Sequence, residues 1–301
     1  MLTVVALGGN ALLGPGERGT AAEQRANLAR TFRAASTLFA EAPLVLTHGN
    51  GPQVGNELLR QELGSAEVPP LPLWLAVAQT QAEIGALAAA ELRPLVDPEV
   101  SVLLTHVVVD ENDPAFSNPT KPVGPFYDKA TADGLRRDRE WMLREDAGRG
   151  WRRVVPSPEP LEIVELETIR VLLAAGGLVI GVGGGGIPVV RRGDRLDGVD
   201  AVIDKDLASA LLAIRLQAER LVILTQVAAV ERDFGTPEAK AISELRPGRD
   251  DAILDGLAAG SMRPKIDAAF RFVRETGGDA LVTSAEAFES GEAGTRIVPG
   301  P

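Results

Sequence analysis

The sequence contains no cysteine, and histidine occurs only at positions 48 and 106 of its 301 residues. The first absence excludes disulfide frameworks, thiolate zinc sites, iron–sulfur clusters and thiol nucleophiles. The second leaves too few imidazoles for a multi-histidine metal centre. Chemistry must therefore rest on oxygen and nitrogen groups, with a hard cation held by carboxylates and a substrate phosphate still open. Long apolar runs are also missing. Stretches such as Leu178-Val179-Ile180 and Leu221 to Leu224 are too short to span a bilayer, and Met1 to Ala6 has no basic segment before it. The expectation is a cytoplasmic protein that does not associate with a membrane.

What is present fits a globular chain: 45% of residues are apolar and 24% charged, which excludes disorder and collagen. The formal charge of −11 gives a field that repels nucleic acid and anionic lipid, so no nucleic-acid partner is expected. An anionic small substrate would need local cations. Only five of the 31 basic residues are lysine, at 121, 129, 205, 240 and 265. Each is either a leftover of an arginine-rich composition or a compact, flexible cation kept for its chemistry.

Strand-like runs alternate with Ala- and Leu-rich amphipathic stretches along the whole chain, the pattern of an α/β protein with a mainly parallel sheet. Expected strands are Thr3 to Leu7, Pro43 to Thr47, Ser101 to Val109, Leu178 to Gly181, Leu221 to Thr225 and Ala280 to Thr283. Expected helices include Ala21 to Phe39, Leu75 to Leu92, Pro160 to Ala175 and Lys205 to Gln217. Residues 111–159, rich in Pro, Asp and Arg, interrupt the alternation and read as an inserted lid subdomain. A second seam lies near 190–200, where Arg191 to Asp194 reads as a hairpin turn. The expected division is an N-terminal lobe over 1–190, with the lid at about 111–159, and a C-terminal lobe over 191–301.

Two strand-to-helix junctions carry glycine turns, Gly8-Gly9-Asn10 and His48-Gly49-Asn50-Gly51-Pro52, each able to aim backbone N–H groups at an anion. Such turns also carry glycine for tight geometry alone. A third cluster, Gly181 to Gly186, matches the glycine spacing of a dinucleotide fingerprint. However, a strand-like Ile187-Pro188-Val189-Val190 follows where a helix N-terminus would be needed. It reads as a phosphate-approach loop or a flexible bend. Asp233-Phe234-Gly235 mimics a protein-kinase fragment without the accompanying His-Arg-Asp loop. No Walker lysine motif and no Gly-x-Ser-x-Gly elbow occurs.

Lys205 lies between Asp204 and Asp206 where an apolar run meets a helix, which is an ordinary capping pattern or a lysine aimed at a phosphoryl group. Lys265 starts another helix, and Lys121 sits in the proline-rich insert, where a loop is expected. Anion cradles, lysines and an organising aspartate suit phosphoryl transfer, whose catalysis is mainly positioning and charge neutralisation.

At these residues the chain resembles the amino-acid kinase superfamily and, within it, the carbamate kinases. The likeness covers Ala6 to Leu13, Gln24 to Asn27, Thr47 to Gly55, Asp113 to Tyr127, Trp151 to Pro158, Gly183 to Pro188, Asp204 to Ala210 and Gly260 to Met262. It implies a three-layer α/β/α sandwich with an open, mainly parallel sheet, usually dimeric. The implied reaction is reversible: carbamoyl phosphate and ADP give ATP and carbamate with Mg²⁺, in arginine metabolism. It assigns Lys121, Lys205 and Asp206 to catalysis, and Gly8, Gly9, Asn10, Gly49, Asn50 and Gly51 to the carbamoyl phosphate end. Gly183, Gly184, Thr225 and Lys265 are assigned to the nucleotide, and no residue to a metal. Arg152 and Arg153 are expected to hold the base of the lid.

The chain departs from this family at Thr225-Gln226-Val227-Ala228-Ala229-Val230-Glu231, where two carboxylates and an aromatic ring are expected, and at Arg263, where glycine is common. Two other readings stay open at this point: a catalytically weak homologue that senses carbamoyl phosphate or nucleotide, and a sister amino-acid kinase with another substrate.

Overall fold

Strands such as Thr3–Leu7, Leu44–His48 and Arg220–Leu224 are buried along almost their whole length, so both faces of the sheet they build must be covered. The computed structural model describes residues 1–300 except 15, 41–42, 140, 146–149, 258–261 and 291–293; nothing is described for the side chains of Asn10 and Pro125. The main sheet has eight strands in the order Glu244–Leu245, Thr295–Ile297, Asp279–Thr283, Arg220–Leu224, Thr3–Leu7, Leu44–His48, Leu178–Ile180, Val100–Val102. All neighbours are parallel except Asp279–Thr283 with Thr295–Ile297.

Alternation along each strand divides the core. Val4 and Ala6 join Val45, Val179 and Ile223 on one face, where Leu212, Ile266 and Phe270 from helices Lys205–Leu216 and Met262–Thr276 cover them. Val5 and Leu7 join Leu44, Leu46 and Leu178 on the other, under Leu28, Phe32 and Ile84 from helices Ala21–Ala34 and Leu73–Leu92. The result is the expected α/β/α sandwich. A capping box from Thr20 and Glu23 starts helix Ala21–Ala34, and Asp204 caps helix Lys205–Leu216.

A second sheet, in the order Arg195–Gly198, Ile187–Arg192, His106–Val108, Glu162–Ile163, lies on this frame. The turn expected at Arg191 to Asp194 joins its first two strands, with Gly193 at φ 62°. The 190/191 seam falls inside strand Ile187–Arg192, and the main sheet takes strands from both sides of it. The insert folds as helix Lys129–Arg139 with an antiparallel sheet of Lys121–Tyr127, Trp151–Val155 and Leu143–Glu145. Its Gly124 backbone abuts Gly55 on helix Gly51–Gly64, where a β-carbon would stand 3.0 Å from Gly124 Cα.

Four expectations need correction. Ser101 to Val109 is two strands in two sheets, Val100–Val102 and His106–Val108, because Thr105 is held between them by Gln81. Pro160 to Ala175 is strand Glu162–Ile163 followed by helix Leu166–Ala174. Ala21 to Phe39 divides into helices Ala21–Ala34 and Ser36–Ala40. Lys121 opens a strand; its proline-rich neighbours are tolerated because that strand is an edge. Among the described residues no helix is long and apolar enough to cross a membrane.

The loop Val182–Gly186 is the tightest passage. Val182, Gly184, Gly185 and Gly186 all have positive φ, and the strand Ile187–Arg192 follows directly, so the loop opens no dinucleotide-binding helix. A β-carbon at Gly183 would stand 2.3 Å from His48 Nε2, and one at Gly184 2.1 Å from Asn50 Nδ2. Gly183→Ala is expected to lower stability by about 1–3 kcal/mol through overpacking, read as a reduced urea midpoint; an unchanged midpoint would show that the loop yields.

Candidate active site

Parallel pairing places the carboxyl ends of Thr3–Leu7, Leu44–His48, Leu178–Ile180 and Arg220–Leu224 along one edge, where open α/β sheets bind ligands. The chain leaves these ends through the glycine turns and through Thr225. The two N-terminal turns are tied to the sheet: Gly8 N–H donates to Leu224 O at 2.9 Å, and Gly49 N–H to Leu7 O at 3.1 Å. A β-carbon at Gly49 would stand 3.3 Å from Lys205 Cδ and 3.4 Å from Gly9 N, so this glycine lets the lysine stem run beside both turns. Asn50 Nδ2 donates to Thr80 Oγ1 at 3.0 Å, fixing its amide from helix Leu73–Leu92. Asn10 contributes its backbone to the turn Gly9–Ala11, and its side chain lies outside the described residues.

The charged centre is a chain of three lysines and two aspartates. Lys205 Nζ donates to Asp206 Oδ1, and Lys265 Nζ to Asp206 Oδ2 at 2.9 Å. Lys121 Nζ donates to Asp204 Oδ2 at 3.1 Å and to Ile203 O at 3.2 Å. Lys205 and Asp206 are both buried. Burial would raise the Asp206 carboxyl, but Lys205 and Lys265 outweigh it and hold it below its ordinary value. Burial lowers the Lys205 ammonium, against the opposing pull of Asp206. For Asp204, burial again raises, and Lys121 and Lys205 with two hydrogen bonds carry it down to about 2.

A cavity of about 260 Å³ joins Gly9, Gly49, Asn50, Lys121, Lys205 and Lys265, with Gly184 and Asp206 also in its wall. It opens beside a cleft of about 1190 Å³ that includes Gly51, Lys121, Asp204, Gln226, Arg263 and Pro264. A further cavity of about 860 Å³ lies past the hairpin Val230–Arg232/Lys240–Ile242, lined by Glu231, Phe234, Ile242 and Leu257. Segment 226–231 runs from the cleft to this cavity. Thr225 stands at the end of its strand, its N–H donating to Thr283 O at 2.8 Å.

The structure thus gathers Gly9, Gly49, Asn50, Gly51, Lys121, Gly184, Lys205, Asp206 and Lys265 around one cavity, while Gly8 supports the first turn from the sheet. Gly183 and Gly184, expected at the nucleotide, pack against His48 and Asn50 on the side of the N-terminal turns. Gly260 and Ser261 lie outside the described residues. Arg152 donates to Gly124 O at 3.1 Å and stacks over Phe126, and Arg153 stacks over Trp141 within the insert.

Three groups escaped the sequence reading. Asp204 is the cap that the pattern around Lys205 suggested, and what escaped is its second role as the partner of Lys121. Gln81 binds Thr105 and donates to Gly183 O at 2.9 Å, supporting the glycine loop, and nothing local in its helix announces this. His48 is buried and its imidazole pushed down to about 4 by desolvation; its Nδ1–H donates to Gly49 O, bracing the second turn as a neutral ring. Among the described residues no group of three or more His, Asp or Glu side chains gathers as a metal site.

The sequence model of the amino acid kinase family matches residues 1–284. The chain is 46% identical to the carbamate kinase of Haemophilus influenzae, over 99% of this chain and 96% of that one. It is 43% identical to the carbamate kinase of Pyrococcus horikoshii, over 98% of each. Among solved structures, the Giardia lamblia carbamate kinase bound to AMP-PNP superposes with a TM-score of 0.90 at 40% identity, covering 99% of this chain and 98% of that one.

Because the Asp204 carboxyl lies below its ordinary value of 3.8, its contribution to stability is complete above about pH 4 and is lost as pH falls toward 2. Asp204→Asn keeps the cap and removes the charge. It is expected to cost on the order of 1–2 kcal/mol at pH 7 after solvent screening, and to flatten the acid limb of stability between pH 4 and 2. Urea titrations across that range check both effects.

Proposed function

The chain belongs to the amino acid kinase family and, within it, to the carbamate kinases, and on that premise we propose that the lysine–aspartate cluster is where its phosphoryl transfer takes place. The reaction moves a phosphoryl group between carbamoyl phosphate and ADP, giving carbamate and ATP. The observation that carries the site reading is the single small cavity shared by both glycine turns and Lys121, Lys205 and Lys265.

In the direction of ATP formation, a terminal phosphate oxygen of ADP attacks the phosphorus of carbamoyl phosphate. The bond from phosphorus to the carbamate oxygen breaks, and carbamate leaves as an anion. No proton needs to move, which suits a site whose carboxylates are committed to lysines rather than free as bases. Lys205 and Lys265 donate to the equatorial oxygens, where negative charge spreads in the transition state, and Asp206 fixes both. With the Gly8 and Gly49 N–H groups tied to the sheet, the backbone N–H groups of Gly9 and Asn10 and of Asn50 and Gly51 hold the acyl phosphate, with Gly183 and Gly184 behind Asn50. Lys121 reaches the same phosphate from the insert.

The nucleotide phosphates lie toward Lys265 and Thr225, with the base in the direction of the hairpin cavity. The N-terminal half then carries the carbamoyl phosphate end and the C-terminal half the nucleotide, with residues 111–159 as lid. A divalent metal accompanies the nucleotide. Magnesium fits, because it keeps water ligands and binds through phosphates, and each site aspartate already accepts from lysine. A homodimer is what the family resemblance implies, and a cytoplasmic location is the expectation of the sequence reading above. A sensor reading is not favoured, since the cluster of cations is complete.

Lys205→Ala leaves Asp206 paired to Lys265, so the fold should persist while kcat falls by at least about a hundredfold. Coupled detection of ATP from ADP, carbamoyl phosphate and Mg²⁺ checks this beside wild type. A near-wild-type rate would remove Lys205 from catalysis. No ATP from the wild type, with carbamoyl phosphate still raising its thermal midpoint, would favour the sensor.

A further inference from the structure

The cations around the cleft differ in whether they are already engaged. Lys121 is bound to Asp204, Lys205 and Lys265 share Asp206, and Arg152 donates to Gly124 O over the Phe126 ring. Arg263 lines the same cleft, is exposed, and has no side-chain hydrogen bond or ion pair with another described residue. Its natural helical partner four residues on, Asp267, is bound instead to Arg271 at 3.1 Å. Three lysines against two aspartates leave a single net positive charge in the centre. An acyl phosphate and a nucleoside diphosphate together bring several negative charges. A guanidinium at the mouth of such a site, unengaged among the described residues, is therefore placed to meet them.

Position decides which ligand it meets. Arg263 does not line the small cavity where both glycine turns converge; it lines the larger cleft with Gln226 and Leu207. Pro264, between Arg263 and Lys265, borders both spaces. The guanidinium thus stands outside the acyl phosphate pocket, on the side where the chain leaves Thr225. Gln226 beside it is neutral, Glu231 of the same segment lines the further cavity, and the cleft's own Glu17, Asp204 and Asp267 are bound to Gly14 and Asn27, to Lys121 and to Arg271.

We propose that Arg263 is a specificity-determining residue that grips the terminal phosphate of ADP, making this chain select the diphosphate over the monophosphate. The inference rests on the ADP and carbamoyl phosphate reading given above. The contact is made equally in the ground state and the transition state, so it sets affinity for ADP and leaves turnover largely unchanged.

The test measures calorimetric Kd for ADP and for AMP with Mg²⁺, and KM and kcat for both substrates, in wild type, Arg263→Ala and Arg263→Lys. In Arg263→Ala the expected result is an increase of about tenfold in Kd and KM for ADP. AMP affinity should stay within about twofold, and kcat and the carbamoyl phosphate KM should hold. Arg263→Lys should restore part of the ADP affinity. Equal losses for ADP and AMP, no loss for ADP, a loss confined to carbamoyl phosphate, or a fall in kcat at constant KM would each overturn the assignment. ATP formation by the wild type in the same assay separates this outcome from failure of the reaction reading, because a chain that makes ATP yet ignores Arg263→Ala refutes only the inference.

Discussion

The site depends on one buried carboxylate held between two ammonium groups. Asp206 accepts from Lys205 and Lys265, and without it two cations would face each other in a poorly solvated space. Desolvation and mutual repulsion both push Lys205 toward its neutral form, while Asp206 opposes them. A phosphoryl group needs the charged form. The aspartate therefore does more than orient side chains, because it keeps positive charge available where burial would otherwise discharge it. The arrangement joins two helices, since Asp206 and Lys205 open Lys205–Leu216 and Lys265 lies in the first turn of Met262–Thr276.

Backbone rather than side chains supplies the rest of the pocket. Gly49 gives the Lys205 stem a close passage, and Gly183 and Gly184 admit His48 and Asn50 at distances that no β-carbon would permit. These approaches need rigid support. Thr80 and Gln81, adjacent on one helix, provide it: the first binds Asn50 and the second binds Thr105 and Gly183. A buried polar network with its partners in place is costly to disturb, so Asn50 and the Gly183 loop are held in place by the helix that covers them.

Much of this was legible in the residues themselves. Continuous apolar strands between amphipathic helices gave the layered sheet, and the strand after Gly186 correctly spoke against a dinucleotide-binding turn. Lys205 and Lys265 stood out because lysine is scarce and each begins a helix, Asp206 as the carboxylate beside Lys205, and Lys121 by its place in the insert. What was hidden is what proximity creates. The prolines around Lys121 suggested a loop, since nothing local says that the strand would be an edge. Gln81 and Thr105 form a pair only after helix Leu73–Leu92 lies over the sheet. His48 looked like one of two spare imidazoles until burial made it a neutral brace.

Asp204 divides its work between its two oxygens. Oδ1 accepts the N–H groups of Asp206 and Leu207 that begin the catalytic helix, while Oδ2 faces Lys121 of the insert. The two attachments are separable. A phosphate that draws Lys121 away releases the insert from Oδ2 and leaves Oδ1 on the helix. The joint can therefore disengage without unwinding the element that carries Lys205, much as a coupling unhooks while its axle stays seated.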